Sequence, residues 1–339
     1  MSARLPRRTI LVGDAERMLS GLPSASIDSV ITSPPYFLLR NYGTAGQIGD
    51  EPTVHEWVHH LAATAEQLAR VLKPTGSLWL NLGDSYSRHR RYGTAAKSLL
   101  LGPERLLLQL SEQGWIVRNK VIWAKPNPLP SSVRDRLTPS WEPIYFLVRS
   151  PRYFFDLAAI RERHRSQRRP QRHPPRAEKY SGRRPAWAGP LAGANDGLMR
   201  AHAAGRVGHP LGKNPGDIWS VATARYQGAH FATFPRQLVT KPILATCPER
   251  VCTRCGRPWR RRDGKLRPEC TCDAAWQPGV VLDPFFGAGT TAIEAERLGR
   301  DWLGIELNPT YRDLALERIT SARASRKEVM HSNKERSNA

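Results

Sequence analysis

Residues 280–306 read VVLDPFFGAGTTAIEAERLGRDWLGIE. Two short apolar runs, at residues 280–282 and 302–305, flank a glycine-rich turn and a segment at residues 290–298 that has the spacing of a helix. Strand, turn, helix and strand in this order form the repeating unit of a parallel sheet with helices on its faces. The stretch therefore predicts an α/β fold.

The turn in this stretch has the composition of a nucleoside-binding loop. Its glycines let the backbone approach a ligand, and Glu306 ends the second strand, where it is placed to accept hydrogen bonds from two ribose hydroxyls. The third glycine of the dinucleotide fingerprint and the lysine of a P-loop are both missing. Asp283 and the bulky aromatic residues after it favour a nucleoside without phosphate that carries a positive or zwitterionic group. S-adenosylmethionine has these features.

A second informative stretch is Thr32-Ser33-Pro34-Pro35-Tyr36, which directly follows an apolar run. Two consecutive prolines continue neither a strand nor a helix, so a rigid extended corner is predicted where the strand ends. The corner offers one hydroxyl, two backbone carbonyls and one aromatic ring. Carbonyl and hydroxyl oxygens accept the N–H bonds of a heteroaromatic amine while the ring stacks on it, which suits a nucleobase. The alternative is a proline-stiffened surface turn.

The rest of the chain repeats the alternation of strand and helix. Apolar runs predict further strands at residues 9–13, 29–31, 77–82, 116–123 and 143–148. Helices are predicted from Thr53, which forms a capping box with Glu56, from about Pro103, and at residues 234–244 and 309–321. We expect a doubly wound, mostly parallel sheet covered on both faces.

The composition favours a polyanionic partner. The chain has 339 residues, with 52 Lys and Arg against 30 Asp and Glu, so its formal net charge is +22. An excess of this size suits nucleic acid, although charge alone identifies no function. No apolar run is long enough to span a membrane, and the arginine-rich start lacks the apolar stretch of a secretory signal. We therefore expect a cytoplasmic protein without membrane contact.

Much of the positive charge lies in one segment. Residues 161–184 contain nine arginines, several prolines and histidines, and almost no aliphatic residues. Such a run builds no core, so it is interpreted as a basic loop or small polar subdomain. Arginines there could reach guanine edges or phosphates, and the alternative is a solvated loop.

Five cysteines all lie between Cys247 and Cys272. Cys252-x2-Cys255 and Cys270-x-Cys272 present four thiols as two close pairs, which suits a tetrahedral zinc ion. The alternative is a set of free buried thiols.

Together these stretches resemble a known family. The sequences DPFFGAGTT, GIELNP and TSPPY, with NLGD at residues 81–84 and WAKPN at residues 123–127, are similar to those of the DNA amino-methyltransferases. The order, with the proline corner first and the cofactor turn last, resembles the circularly permuted beta group, cytosine-N4-specific type. The resemblance implies the S-adenosylmethionine-dependent methyltransferase fold, circularly permuted, with an inserted basic recognition region. Residues 250–277 depart from the family's pattern, in which the Cys-Pro-Glu stretch at residues 247–249 would run almost directly into the first cofactor strand, so they are interpreted as a small zinc-ribbon-like insertion.

The resemblance also implies roles for individual residues. Asp14 would meet the adenine of S-adenosylmethionine and Glu306 its ribose; alternatively, Asp14 only caps a helix. The methionine part would be surrounded by Asp283, Pro284, Phe285, Gly287, Gly289 and Thr290, with Phe234, which could instead belong to the core. The base would be held by Ser33, Pro34, Pro35 and Tyr36.

The chemistry of the acceptor follows from the corner. Methylating carbon 5 of cytosine uses a cysteine nucleophile, usually in a Pro-Cys pair, and the chain contains no such pair. An exocyclic amine instead attacks the sulfonium methyl directly, in line, while oxygens at Ser33 and Pro34 hold its N–H bonds. To reach the amine in duplex DNA, the enzyme flips the base out. In the family that the chain resembles, serine at this corner is more typical of cytosine-N4 enzymes and Asp or Asn of adenine-N6 enzymes, so the resemblance favours cytosine N4.

The sequence thus predicts a site-specific cytosine-N4 DNA methyltransferase. A cognate restriction nuclease is a candidate partner. Its predicted regions are a catalytic half at residues 1–155, a basic target-recognition region at 156–228, a cofactor-binding half at 229–249 and 278–321, a zinc-knuckle insertion at 250–277 and a flexible tail at 322–339. The alternatives are an adenine-N6 enzyme of the same architecture, a nucleotide-dependent oxidoreductase, and a non-enzymatic zinc-containing DNA-binding protein.

Overall fold

The computed structural model describes residues 4–164, 209, 211–223, 234–262 and 264–337. The chain divides into two compact units, one of residues 1–156 and 216–339 and the other of residues 157–215. Most of the second unit, including nearly all of the predicted arginine-rich run, lies outside the described residues. The first unit contains both informative stretches.

The predicted strands and helices occur in their predicted order, and β6 to β10 and α4 are additional elements that the sequence patterns did not indicate. The strands are β1 (Thr9–Val12), β2 (Ile27–Thr32), β3 (Leu72–Asn81), β4 (Ile116–Ala124), β5 (Trp141–Val148), β6 (Ile218–Ser220), β7 (Val251–Cys252), β8 (Trp259–Arg262), β9 (Lys265–Pro268), β10 (Trp276–Gln277), β11 (Val280–Asp283) and β12 (Asp301–Glu306). The helices are α1 (Ala15–Ser20), α2 (Val54–Val71), α3 (Gly102–Glu112), α4 (Leu157–Ile160), α5 (Arg236–Thr246), α6 (Thr290–Arg297) and α7 (Pro309–Ser337).

Among the described residues, eight strands form the main sheet in the order β1-β12-β11-β2-β3-β5-β4-β6. Only β5 runs against its two neighbours, and the other paired strands are parallel. The predicted mostly parallel sheet is confirmed. The C-terminal strands β11 and β12 lie between the N-terminal strands β1 and β2, so the two ends of the chain together build one half of the sheet.

Helices cover both faces of this sheet. One apolar cluster joins α2 and α3 to side chains of the central strands, with Trp57 and Leu106 almost fully buried. A second cluster on the opposite face joins α5, α6 and α7 to residues such as Trp79 and Trp302. Every residue of β11 and β12 is buried, as expected for central parallel strands covered on both sides.

Three boundaries carry information. The predicted capping box of α2 is present, because the Glu56 amide donates to the Thr53 hydroxyl oxygen at 3.2 Å. Strand β3 begins at Leu72, earlier than predicted, because Leu72 already pairs with Ile27. Helix α7 was expected to give way to a tail after residue 321, but it continues through Ser337; Arg323 and Arg326 hold this extension by bonding to Glu296 of α6.

The strand directions give the sheet two distinct edges. At one edge lie the carboxyl ends of β1, β2, β3, β4, β11 and β12 together with the start of the antiparallel strand β5, since Ala124 pairs with Trp141. We call this the carboxyl edge and the opposite one the amino edge. In open α/β sheets, ligands bind at the carboxyl edge.

Residues 250–277 form a small module, which we call the cysteine module, between α5 and β11. It consists of two antiparallel pairs, β7 with β10 and β8 with β9, and it leads directly into the start of β11 at the amino edge. Arg261 anchors it through Glu249 at 3.0 Å and Asp156 at 3.3 Å. The Arg260 guanidinium also donates to the Tyr153 carbonyl at 3.3 Å. The module is thus fixed to the edge of the sheet that faces away from the carboxyl ends.

No helix among the described residues has both the length and the apolar composition needed to cross a membrane.

Candidate functional site

A cavity of about 660 Å³ opens at the carboxyl edge. It is lined by residues that follow β1, β2, β11 and β12, and by the start of β5. The predicted residues that line it are Asp14, Ser33, Pro34, Pro35, Tyr36, Phe234, Pro284, Phe285, Gly287, Thr290 and Glu306. The structure therefore brings the proline corner and the glycine-rich turn, some 250 residues apart in the sequence, to one cavity.

Glu306 is held in place by the turn it faces. The Gly287 amide donates to Glu306 Oε2 at 2.7 Å, and the Asn308 amide donates to Oε1 at 2.9 Å. Burial raises the pKa of this carboxyl, and these backbone hydrogen bonds act in the opposite direction. Since each carboxylate oxygen has two lone pairs, both can accept a further hydrogen bond from the cavity.

Asp283 takes a different position from the one expected of a ligand residue. It is 1% exposed and does not line the cavity. Its oxygens accept hydrogen bonds from the Thr32 and Thr291 hydroxyls, each at 2.7 Å, and from the Phe285 amide at 3.2 Å. Burial raises the pKa of Asp283 to about 7. The carboxyl therefore joins the end of β2 to the turn behind the cavity wall.

Gly289 also lies away from the cavity wall, in a position set by packing. Its φ of +75° lies in the left-handed region, which favours glycine, and it does not line the cavity. A Cβ there would stand 3.2 Å from the Ala315 side chain and 3.3 Å from that of Phe286. The residue lets α6 begin tightly against α7.

Asp14 fits both of its interpretations. Its Oδ1 accepts a hydrogen bond from the Arg17 amide at 2.9 Å and so caps α1, while the residue also lines the cavity. Phe234 likewise lines the cavity and packs partly against the apolar cluster under α5.

The proline corner is anchored from two sides. The Trp57 indole N–H donates to the Pro35 carbonyl at 3.0 Å, which fixes the corner to α2. The Tyr36 ring lies against Gly83, where a Cβ would stand only 2.4 Å from ring atom Cε2. Glycine at residue 83 is therefore required by the position of the Tyr36 ring.

A polar network behind the corner was missed at the level of sequence. The Tyr36 hydroxyl donates to Glu142 Oε2 at 2.8 Å and lies 3.3 Å from the Ser33 hydroxyl. The side-chain amide of Asn81 donates to the same Glu142 oxygen at 3.1 Å, and Lys125 forms a salt bridge with Glu142 Oε1. Asn81, Lys125 and Glu142 all line the cavity. Asn81 and Lys125 belong to stretches that carried the family resemblance, but no role was assigned to them.

The four paired cysteines come together as predicted from their spacing. The Sγ atoms of Cys252, Cys255, Cys270 and Cys272 all lie within 4.8 Å of one another. Cys247 is not part of this group; it is buried at the end of α5, and burial raises the pKa of its thiol. The cluster lies in the cysteine module, at the amino edge of the sheet.

The fold and this cavity define an α/β protein with a ligand site at the carboxyl edge of its sheet. Comparison with known proteins identifies the family. A family model described as DNA methylase (N6_N4_Mtase) matches residues 27–317. The Type II methyltransferase M.SmaI of Serratia marcescens is 34% identical over 335 residues, covering 93% of this chain and 91% of that protein. M.Cfr9I of Citrobacter freundii is 33% identical over 333 residues, covering 92% and 87%.

Solved structures agree on the fold. The cytosine-N4-specific PvuII DNA methyltransferase matches with a TM-score of 0.58 and 19% identity, covering 94% of this chain and 92% of that one. TTHA0409 of Thermus thermophilus, complexed with S-adenosyl-L-methionine, matches with a TM-score of 0.52 and 24% identity, covering 92% and 93%. The chain belongs to the N6/N4 DNA methylase family, and the expected DNA amino-methyltransferase is confirmed.

Proposed function

We propose that this DNA methyltransferase transfers a methyl group from S-adenosylmethionine to the exocyclic N4 amine of cytosine in duplex DNA. The observation that carries the proposal is the cavity lined by both the Ser33–Tyr36 corner and the Glu306 turn. Reaction partners must share a cavity for direct transfer, because the amine and the methyl carbon have to come within contact distance. The relatives support the two halves of the proposal: one is named cytosine-N4-specific and another is complexed with S-adenosyl-L-methionine.

The cofactor is assigned by the chemistry of the lining. Glu306 accepts hydrogen bonds from the ribose hydroxyls, and Asp14 accepts one from the adenine amine. The methionine part is surrounded by Pro284, Phe285, Gly287, Thr290 and Phe234. Asp283 and Gly289, which lie behind the wall, shape the turn instead of touching the ligand.

The transfer step needs no protein nucleophile. The base is flipped into the cavity, where the Tyr36 ring stacks on it and the Ser33 hydroxyl and Pro34 carbonyl accept its N–H bonds. The lone pair of the amine attacks the methyl carbon, and the electrons of the carbon–sulfur bond return to sulfur. The methylated ammonium then loses a proton to water. Oxygen acceptors that hold both N–H bonds favour the pyramidal amine required for attack.

The same architecture also serves an adenine-N6 enzyme, so the acceptor must be measured. Genomic DNA from cells that express the protein is digested, and its nucleosides are identified by mass spectrometry. We expect N4-methylcytosine with the wild type and much less of it with Ser33→Ala. N6-methyladenine would overturn the choice of base but keep the architecture. Neither base, together with normal cofactor binding in calorimetry, would overturn the DNA substrate.

Other parts of the proposal concern the regions around the site. We assign the contacts with duplex DNA to the basic residues 156–228, most of which lie outside the described residues. We also propose that the chain is circularly permuted as in the beta group, with the proline corner before the cofactor turn. The curated relatives are named Type II methyltransferases, which supports a cognate restriction nuclease as partner.

We also assign the cysteine module to one structural zinc ion. A tetrahedral four-thiolate site with bonds of about 2.3 Å places its sulfurs about 3.8 Å apart, and the four Sγ atoms here lie within 4.8 Å of one another. Thiolates favour zinc over magnesium or calcium. Because the module lies at the amino edge, its residues take no part in methyl transfer.

A further inference from the structure

The direction of the hydrogen bonds behind the corner is fixed by Glu142. A carboxylate only accepts, so the Tyr36 hydroxyl must give its single proton to Glu142 Oε2, 2.8 Å away. Toward Ser33, at 3.3 Å, the Tyr36 oxygen is then left as an acceptor. The Ser33 hydroxyl therefore donates to Tyr36, and its own lone pairs face the cavity.

Glu142 is held firmly enough to set this direction. Lys125 pairs with its Oε1, the Asn81 amide donates to Oε2 at 3.1 Å, and both side chains of the Lys125–Glu142 pair are largely buried, at 18% and 15% exposed. Three donors from three different parts of the carboxyl edge thus converge on one carboxylate. Burial, and next the nearby Glu142 charge, keep the pKa of Tyr36 well above its usual value, so the phenol stays protonated.

We propose that Glu142 acts through Tyr36 as a positioning residue that turns the Ser33 hydroxyl so that it accepts a hydrogen bond from the target amine. The inference rests on the proposed function, in which an exocyclic amine receives the methyl group. The orientation of the serine hydroxyl matters because a hydroxyl can meet an amine in two ways. As an acceptor it binds an N–H bond and leaves the nitrogen lone pair free for the methyl carbon. As a donor it would bind the lone pair itself and block the attack.

The same contacts argue that Glu142 is not the proton acceptor of the reaction. Oε2 already receives two hydrogen bonds, from Tyr36 and Asn81, and Oε1, which keeps one lone pair, is paired with the Lys125 ammonium. The target amine would meet Ser33 first. Glu142 therefore acts on the substrate only through the tyrosine.

A double-mutant cycle tests the chain of hydrogen bonds. The single-turnover rate constant for methyl transfer is measured with excess enzyme for the wild type, Glu142→Gln, Tyr36→Phe, Ser33→Ala and the two doubles that contain Ser33→Ala. We expect Glu142→Gln and Tyr36→Phe each to lower the rate constant about 10- to 100-fold, the worth of one or two hydrogen bonds, with cofactor affinity unchanged. In the Ser33→Ala background both effects should vanish, since no hydroxyl remains to be turned.

Tyr145→Phe is the matched control. It also removes a tyrosine hydroxyl that lies near a glutamate, Glu104 at 3.5 Å, and Tyr145 stands on β5, the strand that carries Glu142, but it does not line the cavity. We expect its rate constant to match that of the wild type. Thermal unfolding of every variant shows whether a lost rate reflects lost structure.

The outcomes separate this inference from the proposed function. If Glu142→Gln lowers the rate constant equally with and without Ser33, Glu142 acts independently of the serine and the inference is wrong. A loss in Glu142→Gln that is matched by a lower unfolding temperature also overturns it. The methylated base made by the wild type is identified separately, so a product other than N4-methylcytosine overturns the base assignment without touching the cycle.

Discussion

The two edges of the main sheet use the same kinds of charged side chain for different purposes. At the carboxyl edge, Glu306 and Glu142 are held by protein donors yet line an open cavity. At the amino edge, Asp301 pairs with Arg7 and Arg8 at 2.8 and 2.7 Å, and Asp28 pairs with Lys73 at 2.6 Å. The carboxyl edge thus presents acceptors to a ligand, while the amino edge joins the chain's distant segments.

Two aspartates show how sharply the edges differ. Asp283 ends β11 and Asp301 begins β12, and both are almost fully buried. The donors to Asp283 among the described residues are two hydroxyls and one backbone amide, and burial raises its pKa to about 7, whereas Asp301 meets two guanidinium groups. Among the described residues, the Asp283 carboxyl at the carboxyl edge is therefore hydrogen-bonded by neutral groups and not by a basic side chain.

The largest expected effect comes from exchanging the acids of the two edges for alanine. If Glu306 binds the ribose as proposed, Glu306→Ala removes two charge-assisted hydrogen bonds, so calorimetry should show S-adenosylmethionine affinity reduced about 100- to 10,000-fold. Asp301→Ala should lower the free energy of unfolding but leave that affinity within about twofold, the reproducibility expected for distant, independent sites. Equal cofactor affinities in the two variants would contradict the assignment of Glu306.

We expect zinc to bind at the amino edge, in the cysteine module, and not at the carboxyl edge. Cys252→Ser removes one of four thiolates, so the zinc content measured by mass spectrometry should fall from one ion per chain toward zero, and affinity should fall by more than the 10- to 100-fold typical of losing a mere outer-shell partner. Cys247→Ser is the control and should keep its zinc. Cobalt-loaded wild type should show the absorption of a tetrahedral thiolate site. A wild type without bound metal, or zinc retained in Cys252→Ser, would contradict the assignment.

The sequence predicted the local order of the fold well because that order is set by local patterns. Apolar periodicity located the strands, and Thr53 with Glu56 marked the start of α2. The pairing of β11 with β2 joins residues far apart in the chain, so it was accessible only through the family resemblance. Helix α7 was predicted too short because its extension is held by contacts of Arg323 and Arg326 with another helix, which a polar composition does not reveal.

The site was predicted where it follows directly after parallel strands and missed elsewhere. Ser33 and Glu306 stand at strand ends with a recognisable motif. Glu142 stands at the start of β5, and only the antiparallel direction of that strand brings it to the cavity. Asp283 was placed against the ligand because a motif does not show which way a side chain turns; its three donors turn it inward.

A pH titration tests the buried Asp283 carboxyl at the carboxyl edge. The pKa of Asp283 in the folded protein is raised to about 7, so between about pH 4 and 7 the folded state holds a proton that the unfolded state has released. Folding stability from this group therefore falls as the pH rises through that window and is constant above it. The difference in unfolding free energy between wild type and Asp283→Asn should change by at most about 1.4 kcal/mol per pH unit. A difference independent of pH would contradict the raised pKa.

The smallest expected effect concerns the contacts that hold the cysteine module. Arg261 bonds to Asp156 and Glu249 from a side chain that is 30% exposed, so solvent screens both pairs. Arg261→Gln should lower the free energy of unfolding by about 1 kcal/mol or less. The methyl-transfer rate constant should stay at the wild-type value, because the module lies at the edge opposite the cavity.

Arg254→Gln removes a charge from the same module without breaking an ion pair to the sheet and serves as the control. A slower methyl transfer in Arg261→Gln at full stability would mean that the amino edge takes part in the reaction. The conclusion that only the carboxyl edge serves the reaction would then be wrong.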